Sequence, residues 1–133
     1  IKPGEHGSTF GGNPLSAAVA TEALKVILDE GLIENAYNLG KIFRDELQKF
    51  TKNSDLVKLV RGKGLLNAIV INDSPKSDTA WNICMKFRDN GLLAKPTHGN
   101  IIRFAPPLVI TEEQLNECIS IITNTLRSLE INT

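Results

Sequence analysis

The spacing of apolar residues switches from helical to extended near residue 55, and this restricts the chain to a mixed α/β fold. From Leu15 to about Asp29, Leu15, Ala18, Val19, Ala23, Val26 and Ile27 recur at helical spacing, widened by Ala17, Ala20, Leu24 and Leu28. So wide a stripe predicts a helix buried on more than one side, packed against something outside this chain as well as against its own domain. Gly31 ends it. A second helix is predicted from Leu32 to Phe50, with Ile33, Ala36, Tyr37, Leu39, Ile42, Phe43, Leu47 and Phe50 inward. Its charges, Arg44 among them, read as a solvated face.

Past the polar run Thr51–Asp55 the pattern becomes extended. Leu56–Arg61 reads as a strand, Gly62-Lys63-Gly64 as a turn and Leu65–Ile71 as a second strand. Ser77 or Asp78 can cap a helix running to about Asp89, with Ala80, Trp81, Cys84, Met85 and Phe87 inward. Asn90-Gly91 stops it, and Leu92–Lys95 reads as a short strand. Ile101–Ala105 alternates as a strand until Pro106-Pro107. A last helix is predicted from Thr111 to about Leu129, opened by a Thr111/Gln114 capping box, and the tail from Glu130 to Thr133 is expected to fray. This order predicts a small, partly antiparallel sheet with helices packed on one face.

Fifteen basic residues balance fifteen acidic ones, so no net field draws the chain to nucleic acid or an anionic membrane. Small molecules and protein surfaces remain as partners. No apolar run approaches the roughly 20 residues of a membrane span. Cys84 and Cys118 sit in apolar-periodic stretches and read as buried free thiols of a reducing compartment. His6 and His98 lack partners at metal-ligand spacing, so no metal site is predicted. The chain opens on Ile1-Lys2-Pro3-Gly4, which reads as a connection entered mid-stream, and is expected to be a piece of a longer protein.

Two features carry chemistry. In His6-Gly7-Ser8-Thr9-Phe10-Gly11-Gly12-Asn13-Pro14, glycines flank two hydroxyls, and Asn13 and Pro14 suit the N-cap and first position of a helix. The loop can present N–H groups with Ser8 and Thr9 to a phosphate, or be a plain turn, since no phosphate-loop lysine signature accompanies it. The second is Arg103, a guanidinium in an otherwise apolar strand. It needs a structural acid, a route to solvent, or a substrate carboxylate.

With these residues in view, the chain resembles the C-terminal part of class III pyridoxal-phosphate aminotransferases, most closely the ornithine-using members. The resemblance rests on Gly4–Pro14, on Arg61–Ile71, and on Arg88–Gly99 with Ile101–Leu108. It implies a fold type I transferase, of which residues 1–30 would be the end of the large-domain cofactor loop with its connecting helix, and residues 31–133 the small C-terminal domain. It further implies transfer of the δ-amino group of L-ornithine to 2-oxoglutarate, giving glutamate 5-semialdehyde and glutamate, in a homodimer with shared active sites. Pyridoxal 5'-phosphate would be the cofactor. Thr9, with Ser8 beside it, matches the position that binds the cofactor phosphate in the neighbouring subunit's site. Arg103 matches the arginine that takes the α-carboxylate of glutamate or 2-oxoglutarate, and that pairs with a large-domain glutamate when ornithine is bound. The Schiff-base lysine would lie upstream, so the chain holds no catalytic residue and is expected to be inactive alone. The expected location is intracellular, in the cytoplasm or mitochondrial matrix. Acetylornithine and 4-aminobutyrate enzymes of the same class, and a non-catalytic α/β interaction module, are the alternatives.

Overall fold

Asn13 and Pro14 start the first helix as their chemistry requires. In a computed structural model describing residues 1–131, the Asn13 side chain accepts from the Ser16 N–H at 3.0 Å and Pro14 occupies the first helical turn of α1 (Pro14–Asp29). Gly31 follows with φ +63°, the left-handed conformation that terminates a helix cheaply only at glycine. The loop and α1 form one compact unit, residues 1–33. Contrary to the expectation from its wide apolar stripe, α1 buries no residue in this chain; Leu15, Val19, Leu24 and Leu28 are 62% to 73% exposed. The stripe is a property of the helix that this chain alone does not cover.

The second unit runs from Glu34 onward. Its elements are the body of α2 (Leu32–Thr51), β1 (Val57–Lys63), β2 (Leu66–Ile71), α3 (Thr79–Asp89), β3 (Lys95–Thr97), β4 (Ile101–Phe104) and α4 (Glu112–Glu130). The four strands form one sheet in the order β1-β2-β4-β3, and every pairing is antiparallel, so the sheet is not merely partly so. One sheet face carries Val60, Asn67, Ile69, Ile71, Ile102 and Phe104, all buried. Against it pack Leu39, Phe43 and Leu47 of α2, Ile83, Cys84 and Phe87 of α3, and Leu115, Ile122 and Leu126 of α4. Helices on one face of one sheet make a two-layer α/β unit. The Phe104 ring sits 5.4 Å from Phe43 and 6.1 Å from Phe87, both tilted.

Several boundaries and burials differ from the sequence reading. Strand β1 runs on through Gly62 to Lys63, leaving Gly64-Leu65 as the turn, because Lys63 pairs with Leu66. Strand β3 lies at Lys95–Thr97 rather than Leu92–Lys95, since Lys95 and Thr97 pair with Arg103 and Ile101. Trp81, expected inward, is 54% exposed, and Ile33 and Tyr37 are also exposed. At 100° per residue these three project well off the lines that Cys84 and Phe87, and Leu39 and Phe43, direct to the core.

Asp78 occupies the N-cap of α3 without a side-chain bond. Instead the Thr79 hydroxyl donates to Asp73, which, with the Ser74 N–H and Ser77, holds that carboxyl below the usual range. The capping box of α4 forms as the sequence predicts, with Gln114 N–H donating to the Thr111 hydroxyl at 3.2 Å and the Thr111 N–H to Gln114 Oε1 at 3.1 Å. The expected fraying fails at Glu130, the last residue of α4, whose carboxylate accepts from the Ser54 hydroxyl and from the Leu56 N–H. Asn132 and Thr133 lie outside the described residues. Among the described residues no helix is long and apolar enough to cross a membrane.

Candidate functional site

The sheet face turned away from α2, α3 and α4 is where Arg103 emerges. Arg103 stands on β4, an inner strand, between buried Ile102 and buried Phe104, so strand alternation drives its side chain to the open side. Its guanidinium makes no hydrogen bond or ion pair among the described residues. The three ion pairs there are all between residues close in sequence: Lys25–Glu22, Lys49–Glu46 and Arg88–Asp89. Among the described residues no structural acid engages Arg103, and five N–H donors on a fixed strand face outward.

Register places more charge beside it. Arg61 of β1 pairs with Ala68 of β2, Ala68 with Arg103, and Arg103 with Lys95 of β3, so one row crosses all four strands. Three of its four residues are cations, each exposed. The neighbouring row on the same face, Leu59, Val70, Ile101 and Thr97, is uncharged. Lys63 adds a fourth cation, and no acidic residue stands on this face. The sequence reading singled out Arg103 but neither Arg61 nor Lys95, because their adjacency exists only in the strand register.

The ladder that holds Arg103 is fixed from α2. The Arg44 guanidinium donates to the Gly64 carbonyl and to Asn67 Oδ1, both at 2.9 Å, and the Asn67 amide donates to the same carbonyl at 3.0 Å. Asn67 is 2% exposed, pairs with Phe104 and precedes Ala68, the cross-strand neighbour of Arg103. Arg44 is therefore no surface ornament: it ties the β1–β2 turn to the helix layer. The backbone approach that permits this is close, since a Cβ on Gly40 would sit 1.9 Å from the Gly64 oxygen. The signal available in the sequence was Asn67, a lone polar residue in the apolar run Leu65–Ile71.

In the first unit, Ser8 and Thr9 sit in a loop closed by the Asn13 N–H bonding the Phe10 carbonyl at 3.0 Å, with Gly12 at φ +78°. Neither hydroxyl is committed to a hydrogen bond among the described residues. A Cβ on Gly11 would come within 3.2 Å of the Ser8 Cβ, so glycine leaves the room that Ser8 occupies. The loop leads into the positive end of α1, whose first turn has no acid to neutralise it. Two hydroxyls without a bond among the described residues, on a glycine-rich loop that runs into a helix with no acid in its first turn, fit a phosphate group.

Cys84 and Cys118 are free thiols, Cys84 buried and Cys118 half-buried. Burial pushes Cys84 up to about 11 and raises Cys118 as well, so neither is an activated nucleophile.

Residues 1–126 match the aminotransferase class-III family. The mitochondrial ornithine aminotransferase of Drosophila melanogaster is 60% identical over 129 residues, which is 97% of this chain and 29% of that protein. Among solved structures, the acetylornithine aminotransferase from Elizabethkingia anophelis is similar at 64% identity and TM-score 0.87, covering 96% of this chain and 32% of that one. Plasmodium falciparum ornithine delta-aminotransferase is similar at 49% identity and TM-score 0.86, covering 100% and 34%. The chain thus spans about a third of the length of the proteins it matches.

Proposed function

Since this chain belongs to the class-III aminotransferases, we propose that it is the C-terminal part of an ornithine aminotransferase, a pyridoxal-phosphate enzyme that moves the δ-amino group of L-ornithine to 2-oxoglutarate. The observation that carries the reading is the near-complete match of the chain to proteins of that name. In this reading residues 1–30 are the end of a cofactor loop with its connecting helix, and residues 31–133 are the small domain. The enzyme is a homodimer with shared sites, working in the cytoplasm or the mitochondrial matrix. Several relatives are named mitochondrial.

Each contribution of this chain has a physical basis. Pyridoxal phosphate, when bound, supplies the electron sink that amino-group transfer needs. Ser8 and Thr9 hold its phosphate with hydroxyls that have no other bond, helped by the uncompensated start of α1. Arg103 takes the α-carboxylate of glutamate or 2-oxoglutarate with the paired N–H groups of its planar fork. With no ion pair among the described residues, Arg103 can exchange that carboxylate for a glutamate elsewhere in the enzyme when ornithine is the substrate. The Schiff-base lysine lies outside these residues, so the isolated chain does not transaminate.

The similarity to the Elizabethkingia protein favours a second reading, in which N-acetylornithine is the amino donor. Substrate profiling of the full-length enzyme separates the two. A kcat/KM for ornithine about 100-fold above that for N-acetylornithine is expected from a site that pairs the free α-ammonium group, which acetylation removes. Equal or reversed preference would overturn the ornithine reading.

A further inference from the structure

Lys95 and Arg103 are directly opposed on adjacent antiparallel strands, so both side chains rise from the same face of the sheet about one strand spacing, roughly 5 Å, apart. Like charges so placed repel each other and weaken the pairing. Among the described residues neither cation has a hydrogen bond or ion pair that relieves this, and no acid stands on this face of the sheet. Arg61 lies two strand spacings from Arg103 with Ala68 between them, so Lys95 is the cation directly beside Arg103 in the register.

We propose that Lys95 is a second cationic contact for the carboxylate that Arg103 takes, and that the pair makes the site selective for the dianionic amino acceptor over ornithine. A carboxylate has more lone pairs than the two that the Arg103 fork engages, so the Lys95 ammonium beside it can donate to one of the same oxygens. Ornithine carries two ammonium groups and one carboxylate, so the same pair repels it where it attracts 2-oxoglutarate. The inference rests on the carboxylate role of Arg103 proposed above. Its signature is an opposition between stability and affinity: the repulsion that costs the sheet is what binds the acceptor.

The test is Lys95→Met and Lys95→Arg in the full-length holoenzyme, with Arg103→Ala measured beside them. Lys95→Met is expected to raise KM for 2-oxoglutarate about fivefold, the order that a partly exposed ion pair contributes. It should leave KM for ornithine unchanged or lower and the melting temperature unchanged or higher. Lys95→Arg should keep the parent values. An unchanged KM for 2-oxoglutarate in Lys95→Met, with Arg103→Ala impaired, overturns the role of Lys95 alone. A lowered melting temperature with both KM values raised also overturns it, because that is the result of removing a structural ion pair. If Arg103→Ala leaves 2-oxoglutarate kinetics intact, the carboxylate reading itself has failed.

Discussion

Replacing Gly40 by alanine sets helix propensity directly against packing. Gly40 lies in the interior of α2, where alanine is favoured over glycine by about 1 kcal/mol. The new Cβ, however, would stand 1.9 Å from the Gly64 oxygen, 2.3 Å from its carbonyl carbon and 2.9 Å from its Cα. These are backbone atoms of a tight turn, and no side-chain rotation relieves them. To bring the contact to 3.0 Å, helix and turn must part by about 1.1 Å. That motion stretches the Arg44 bond to the Gly64 carbonyl from 2.9 Å to beyond hydrogen-bonding range, because Arg44 is one turn along the same helix. Overpacking costs typically 1–3 kcal/mol and the lost charge-assisted bond about 1–2, so after the propensity gain the net destabilisation is about 1–4 kcal/mol. For a unit of this size that lowers the melting temperature by roughly 5–20 °C. Urea and thermal unfolding followed by circular dichroism measure it. A variant as stable as the parent, or more so, would refute the close approach of α2 to the β1–β2 turn.

Arg44→Met keeps the aliphatic stem but leaves Asn67 Oδ1 short of a donor, and is expected to destabilise by about 1–2 kcal/mol in the same unfolding assay, with Arg44→Lys losing less. Cys84, with its thiol raised to about 11, stays protonated at pH 8 and should resist an aromatic disulfide reagent until the chain unfolds; rapid labelling in native buffer would contradict its burial. Thr9→Ala in the full-length enzyme is expected to raise the dissociation constant for pyridoxal phosphate several-fold, and unchanged cofactor affinity would remove Thr9 from the phosphate site.

Local chemistry was readable wherever neighbours in sequence decide the outcome. Asn13-Pro14 and the Thr111/Gln114 box form as their spacing implies, and the α2 stripe holds at Leu39, Phe43 and Leu47 though not at Ile33 and Tyr37. What escaped depends on partners far along the chain. Strand β3 is displaced from Leu92–Lys95 to Lys95–Thr97 because Arg103 and Ile101 select its register. Arg44 reads as a solvated charge until the β1–β2 turn is seen beneath it. Arg103 itself was visible as a charge in an apolar strand, but its cationic neighbours were not, since Arg61, Lys95 and Arg103 meet only through two further strands. The packing of α1 against its own domain and the burial of Trp81 were wrong for this chain, because an apolar stripe specifies what a face requires and not what covers it.

The two halves of the reaction can be run separately on the full-length enzyme carrying Arg103→Ala, and that measurement tests the central claim most directly. Loss of the paired contact to the keto-acid carboxylate, worth on the order of 1.5–3 kcal/mol, should lower kcat/KM for 2-oxoglutarate about 10- to 100-fold. Amino donation by ornithine should persist, because ornithine does not depend on that contact. Equal loss in both halves, or no loss in either, would contradict the assignment of Arg103 as the acceptor's carboxylate anchor.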